Sequence, residues 1–174
     1  MIRARHLRSV AAPLVVLAAL AAALAGCSST VSLPAPPDAN DPLCAQIMAQ
    51  LPSSVAGQQR RWTDAQSTGA WGDPAAVLFS CGVTPPGPTT LRCIQIGGVD
   101  WVVDESDAPR YRITSFGRTP AVQLYVDNDT VSPNDVLDQF GRLIAGRLPQ
   151  NAQCTDPETA TPDLSSTPTP TPTP

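Results

Sequence analysis

The N-terminal segment decides which residues of this chain are available to fold. Three arginines within the first eight residues precede an apolar stretch at residues 10–24, which is the order found in secretory signals. This stretch has 15 residues and contains Pro13, whereas a membrane-spanning helix needs about 20 apolar residues. We therefore expect residues 1–26 to be a leader, and the 148 residues that follow suit one domain.

The leader ends in Leu24-Ala25-Gly26-Cys27, which resembles the lipobox of bacterial lipoproteins. In those proteins the cysteine receives lipid and becomes the first residue of the mature chain. The resemblance therefore implies lipid attachment at Cys27, and with it a location on the extracytoplasmic face of the cell membrane. A plain secretory signal, cleaved at another small residue, is the alternative.

The remaining cysteines are Cys44, Cys81, Cys93 and Cys154. An even number of cysteines in an exported chain predicts disulfides, and four cysteines allow three pairings. We expect Cys81–Cys93 to close a local hairpin and Cys44–Cys154 to join the two ends of the domain. A metal site is the rival interpretation, but the chain has no CxxC pair and its one histidine lies in the leader. We expect no metal and no other cofactor.

Composition divides the chain after the leader into three parts. Residues 27–40 form a polar spacer with several prolines, which near polyproline geometry would reach about 40 Å. Residues 41–154 carry the regular patterns and should form a disulfide-stapled domain. Residues 155–174 contain no aromatic side chain and end in a Thr-Pro repeat, so we expect a disordered tail.

Periodicity predicts a helix at each end of the domain and strands between them. Asp41 and Ser132 suit N-caps, each precedes a proline, and the apolar spacing is helical up to Leu51 and Leu148. Strands are predicted at residues 76–81, 92–96, 99–103, 111–116 and 121–126, with a tight turn at Gly97-Gly98. The predicted fold class is α+β, with an antiparallel sheet of about four or five strands covered by an N-terminal and a C-terminal helix.

Charge and composition exclude several functions. After the leader the chain has eight arginines, no lysine and fifteen acids, a formal charge of −7, so we expect no nucleic-acid partner. Without histidine or lysine, the usual bases for a serine or cysteine nucleophile are absent. Paired carboxylates remain as an alternative, and Asp100, Asp104, Glu105 and Asp107 cluster, although such acids more often form solvated strand ends.

Tryptophans and arginines offer a candidate ligand surface. Trp71 stands in a turn-like sequence where it could stack on a sugar, and we group it with Trp101 and Arg118 as a possible ligand surface. Arg60-Arg61-Trp62 could add contacts to an anion or a peptide. The alternative is that a small domain uses its few large rings for its core.

Several motifs follow one another along the chain in a fixed order. They are Cys44 before Leu51-Pro52, Trp71-Gly72-Asp73-Pro74 leading to Cys81-Gly82-Val83, Cys93 with Gly98-Val99-Asp100-Trp101, and Phe116-Gly117-Arg118-Thr119-Pro120-Ala121-Val122. Together they resemble the exported actinobacterial proteins grouped as domain of unknown function 3515. The similarity covers residues 41–148 and implies a cell-envelope lipoprotein or secreted protein without an established activity.

We expect a non-catalytic binding or scaffolding module whose partner is cell-wall glycan or an envelope protein. The alternative is a carboxylate-dependent enzyme that acts on wall glycan.

Overall fold

A computed structural model describes residues 30–155 and 158–159 of the chain. Within them one nine-stranded sheet runs in the order β1-β2-β3-β4-β8-β7-β6-β5-β9, and every pairing is antiparallel except that of β5 with β9. The strands are β1 Ser54–Val55, β2 Gln58–Arg61, β3 Thr68–Trp71, β4 Val77–Val83, β5 Arg92–Ile96, β6 Val99–Asp104, β7 Arg110–Ser115, β8 Ala121–Asp127 and β9 Glu158–Thr159, and the helices are α1 Pro42–Met48 and α2 Pro133–Ala145.

The predicted fold class is wrong. The structure is mainly one antiparallel sheet of eight strands with two short helices, and not a sheet of four or five strands covered by helices. The five predicted strands do form, as β4 to β8. The four strands that prediction missed show no period of two. β1 and β9 have two residues each, β2 is Gln-Gln-Arg-Arg, and β3, Thr-Gly-Ala-Trp, is buried at every position. Pairing with neighbours, and not local sequence, specifies them.

Both helices begin where capping chemistry predicts. The Asp41 carboxylate accepts a hydrogen bond from the Leu43 amide at 2.7 Å, and the Ser132 hydroxyl accepts one from the Asp135 amide at 3.4 Å. Helix α1 ends at Met48, one turn earlier than expected. Neither helix is both long enough and apolar enough to cross a membrane, a finding that holds for residues 30–155.

The sheet wraps around α2, and the core lies on its concave face. The Phe140 ring meets Trp71 of β3 edge-on at 5.4 Å and stacks on Phe79 of β4 at 5.2 Å. The Gln139 amide donates to the Ser54 carbonyl of β1, while Gly141 lies against Gly97 at the β5–β6 turn. Three consecutive helical residues therefore reach across the sheet from β1 to β5, which only a curved sheet allows.

Gly141 is explained by this close approach. A Cβ atom at this position would lie 2.7 Å from the Ile96 carbonyl oxygen and 2.8 Å from the Gly97 Cα. The Gly97-Gly98 turn itself has φ angles of 62° and 78°, so the predicted tight turn is confirmed. Gly146, the C-cap, has no atom within 4 Å of a Cβ and has no such role.

The four cysteines form two disulfides, as predicted, but the predicted pairing is wrong. The bonds are Cys44–Cys81 and Cys93–Cys154. The expected Cys81–Cys93 hairpin does not exist because β8, β7 and β6 lie between β4 and β5 in the sheet. Cys81 belongs to the core beside α1, whereas Cys93 alternates with the buried Ile94 and so points to the outer face, where the C-terminal segment runs.

Part of the predicted spacer is held against the domain. The Val31 amide donates to the Trp62 carbonyl at 2.8 Å, and the Asp38 amide donates to the Gly82 carbonyl at 2.9 Å. The Ser67 hydroxyl donates to the carbonyl of the buried Ala39 at 2.6 Å. Residues 31–40 are therefore part of the folded unit, and a spacer of about 40 Å is not available. The predicted leader, and residues 156–157 and 160–174 of the predicted tail, lie outside the described residues.

The contact at Gly141 predicts opposite effects for two matched substitutions, one within α2 and one at its C-cap. Gly141→Ala should lower the free energy of unfolding by about 1–3 kcal/mol, because the added methyl group meets backbone atoms that cannot move aside. Gly146→Ala should raise it by about 0.4–1 kcal/mol, because the site is open and its φ of −89° suits alanine. Urea denaturation of both variants measures the difference, and stabilisation by Gly141→Ala would contradict the packing described here.

Candidate functional site

The three residues predicted as a ligand surface are buried, so that prediction is wrong. Trp71 and Trp101 are fully buried, and Arg118 is 3 % exposed. The Trp71 indole donates to the Pro52 carbonyl at 3.0 Å, and the Trp101 indole donates to the Ile96 carbonyl at 3.1 Å. Both rings therefore have internal partners for their N–H groups, which is the core role that the alternative interpretation described.

Arg118 joins the end of α2 to the sheet. Its guanidinium donates to the carbonyls of Ala145 at 3.1 Å, Leu148 and Gly98 at 3.0 Å. Burial lowers the pKa of Arg118 below its usual value, and attraction to Asp100 opposes that shift. A charged group so placed binds backbone carbonyls and not a ligand.

The acidic cluster is divided among separate structural roles. Asp100 is buried and accepts hydrogen bonds from the Gln95 side chain and the Cys154 amide, both at 2.9 Å. Asp104 and Glu105 face arginines at 3.8 Å, and Asp107 accepts a hydrogen bond from the Tyr125 hydroxyl.

Two pKa shifts in this region follow from those hydrogen bonds. The Ser106 hydroxyl and amide hold the pKa of Asp104 below its usual value, and the bond to Asp107 raises the pKa of Tyr125. The bonds from Ser106 stabilise the charged carboxylate of Asp104, and the bond to Asp107 stabilises the protonated hydroxyl of Tyr125. Both arrangements are ordinary ones for strand ends and turns. Within residues 30–155 no group of three or more His, Cys, Asp or Glu side chains is placed to hold a metal ion.

The exposed tryptophan is Trp62, at the end of β2. Its side chain is 77 % exposed and borders a groove of about 700 Å³ between α1 and β2, which we call the Trp62 groove. The first helix supplies Ala45 and Met48, and the chain after β2 supplies small and polar side chains. The groove is lined by Ala45, Met48, Arg60, Arg61, Trp62, Thr63, Ala65, Gln66, Ser67 and Thr68.

Local pairing explains why Trp62 is exposed. Arg61 is the last residue of β2 and pairs with Ala70 of β3, so Trp62 follows the end of the strand. Beyond this point the chain pairs with the N-terminal segment, through the Val31 amide on the Trp62 carbonyl and the Asp64 amide on the Val31 carbonyl at 3.3 Å. The backbone of Trp62 is therefore fixed while its ring faces solvent.

The charges around the Trp62 groove nearly balance. Arg61 forms an ion pair with Asp73 at 2.7 Å and Arg60 donates to the Leu51 carbonyl at 3.4 Å. Asp64 accepts a hydrogen bond from the Leu33 amide at 2.9 Å, and hydrogen bonds from Ser32 and Leu33 lower the pKa of Asp64. Since Asp64 and Asp73 offset the two arginines, apolar contact with Trp62 is the main attraction that the groove offers.

A smaller groove of about 540 Å³ lies beside the Cys93–Cys154 disulfide. Leu91, 46 % exposed, and Phe116 contribute its apolar surface. It forms where the C-terminal segment crosses the outer face of β5 and β6, so its wall is the disulfide-bonded segment itself.

Comparison with protein families matches residues 9–153 to the model described as protein of unknown function (DUF3515). The chain belongs to this family. The match confirms the family that the ordered motifs predicted. Comparison with curated proteins and with solved structures found no match.

In this DUF3515 chain the motif residues that suggested the family serve the fold. Trp71, Trp101 and Arg118 all belong to the interior. The exposed candidate, Trp62, lies in a segment whose only sequence signal is that two arginines precede it. That signal was visible in the sequence, but exposure of the ring depends on where β2 ends, which sequence did not reveal.

Arg118 allows a test of the buried network in the DUF3515 fold. Arg118→Met should lower the free energy of unfolding by about 3–5 kcal/mol, because three carbonyls and the buried Asp100 lose their cationic partner. Arg142→Met, which removes an exposed ion pair with Asp138 on α2, should cost less than about 0.5 kcal/mol. Chemical denaturation compares the two, and equal costs would contradict the role assigned to Arg118.

Proposed function

We propose that this protein is a non-catalytic binding module of an actinobacterial cell envelope, attached to the outer side of the cytoplasmic membrane by lipid on Cys27. The Trp62 groove is its binding surface. The observation that carries the proposal is the exposure of Trp62, 77 %, in a domain whose other two tryptophans are fully buried. A large exposed ring beside a groove is typical of a surface that another molecule covers.

The chemistry of the groove suits a ligand with an apolar or ring-shaped face. The indole of Trp62 can stack on a sugar or pack on a hydrophobic group, and Met48 adds a flexible apolar wall. Arg60 at the rim can donate to a phosphate or a carboxylate. These features fit the expected class of partner, a glycan, a peptide or a lipid of the envelope.

The non-catalytic part of the proposal rests on the side chains available for proton transfer. Residues 27–174 contain neither histidine nor lysine. The clustered acids are engaged with arginines, a tyrosine and backbone amides. No observation favours the alternative of a carboxylate-dependent enzyme on wall glycan, because Asp100 is buried and its neighbours have separate partners.

Lipid attachment at Cys27 predicts the behaviour of a single substitution. Wild-type protein should sediment with membranes after washing with salt and carry the added mass of a lipid, because each buried methylene contributes about 0.8 kcal/mol to membrane binding. Cys27→Ser should lack that mass, whereas Ser28→Ala, the adjacent control, should retain it. Intact-mass spectrometry of the fractions gives the answer, and an unmodified Cys27 in wild type would contradict the anchor.

Binding through the groove predicts a position-dependent crosslink in intact envelopes. A photoreactive phenylalanine analogue replacing Trp62 should form adducts, because a ligand in the groove covers that ring. The same analogue replacing Leu91, the other exposed large apolar side chain of residues 30–155, is the matched control and should form few. Mass spectrometry then assigns adducts to protein, glycan or lipid. Equal yields at both positions would contradict a binding site at Trp62.

A further inference from the structure

The covalent distance from Cys27 to the folded domain determines which face of the domain meets the membrane. The first described backbone pairing of the chain is the Val31 amide on the Trp62 carbonyl at 2.8 Å, and the Val31 carbonyl accepts from Asp64 at 3.3 Å. Val31 is therefore fixed beside Trp62. We propose that the Trp62 groove rests against the lipid bilayer, so that the ligand its exposed ring meets is the phospholipid interface. This rests on the proposed lipid at Cys27.

Residues 27–31, which we call the tether, are a short connection between the proposed lipid and the folded domain. Cys27 and Val31 are four residues apart, and a fully extended chain spans at most about 3.3–3.6 Å per residue, or about 14 Å in all. A lipid-bearing cysteine lies at the level of the headgroups, which form a layer about 5–8 Å thick on each side of the hydrocarbon. Val31 consequently lies within about 14 Å of that layer. The backbone of Trp62, in the neighbouring segment about 5 Å away, lies within about 19 Å of it.

The tether is also short compared with the domain itself. A domain of this length has a radius of gyration of about 14 Å, so the tether is no longer than that radius. With so short a tether the domain cannot turn over and present Trp62 to the cell wall. The N-terminal segment adds no slack, because the Leu33 amide is bound to Asp64 and the Asp38 amide is bound to Gly82.

The side chains of the Trp62 groove suit a position at the membrane–water interface. Tryptophan concentrates at membrane–water interfaces, where its ring lies among the headgroups and its N–H can still find a partner. Arg60 can extend its guanidinium to a phosphate while its methylene groups remain in apolar contact. Because Asp64 and Asp73 offset Arg60 and Arg61, the contact should depend little on anionic lipid and mainly on burial of the indole.

Tryptophan fluorescence provides the test, because Trp71 and Trp101 are fully buried and Trp62 is exposed. Lipidated full-length protein is added to preformed phosphatidylcholine vesicles, with or without phosphatidylglycerol, and compared with the Cys27→Ser protein. Quenching by acrylamide should fall about threefold on the vesicles, as for an indole going from 77 % to about a quarter exposed. Brominated phosphatidylcholine should quench the same emission only in the lipidated protein.

Two variants separate this contact from general adsorption of the domain. Trp62→Phe retains only the buried tryptophans, so both changes in quenching should disappear. Adding Leu91→Trp to Trp62→Phe moves the exposed indole to a loop before β5, six positions from β2 in the sheet, and this indole should remain accessible to acrylamide. Protection of the indole at both positions would overturn the orientation proposed here.

Three other results would each overturn the proposed membrane contact. If Cys27 carries lipid and the vesicle-bound protein still shows full quenching of Trp62, the membrane contact is overturned while the anchored binding module stands. Shielding of Trp62 in native envelopes but not in vesicles would assign the groove to a partner protein and likewise overturn the contact. An unmodified Cys27 would overturn both proposals, and intact mass distinguishes that case from the others.

Discussion

The fold depends on the contact between one helix, α2, and a sheet that curves around it. Phe140 lies between Trp71 and Phe79, and replacing such a buried ring with alanine typically costs about 3–5 kcal/mol. One residue later, Gly141 brings the helix backbone against the β5–β6 turn. A helix of thirteen residues can contact strands across a sheet of this width only because the sheet bends towards it.

The helix α2 covers only the concave face of the curved sheet, so other contacts must cover its outer face and attach its ends. The C-terminal segment covers the outer face of β5 and β6, held by Cys93–Cys154 and by the Cys154 amide on Asp100. Cys44–Cys81 attaches α1 to β4. Arg118 completes the closure by binding carbonyls at the end of α2 and at the β5–β6 turn, which lie on separate parts of the chain. Covalent and ionic links thus supplement an apolar core of limited size.

Local signals predicted much of the fold, and long-range pairing explains the rest. Asp41 and Ser132 specify helix starts, and Val122, Leu124 and Val126 alternate with half-exposed residues in β8, so these elements could be predicted. Two features depend on which strands become neighbours in the sheet: the short strands β1 and β2, and the pairing of the cysteines. A local sequence pattern does not predict which strands become neighbours. Among the site residues, Trp71 stands in a turn-like sequence from which a ring could project, yet its place opposite Val77 points it into the core.

The tether links the fold to the proposed function. Had residues 27–40 formed a free spacer, the domain could have faced any direction, and an exposed Trp62 would carry no information about its partner. The bridge between Val31 and Thr63, in which the Val31 amide donates to the Trp62 carbonyl, removes that freedom, because the segment that binds Val31 also bears the exposed ring. With lipid on Cys27, as proposed, the backbone of Trp62 lies within about 19 Å of the anchor, and its indole meets headgroups before it meets the cell wall. A wall partner would therefore have to bind a surface of the domain other than the Trp62 groove.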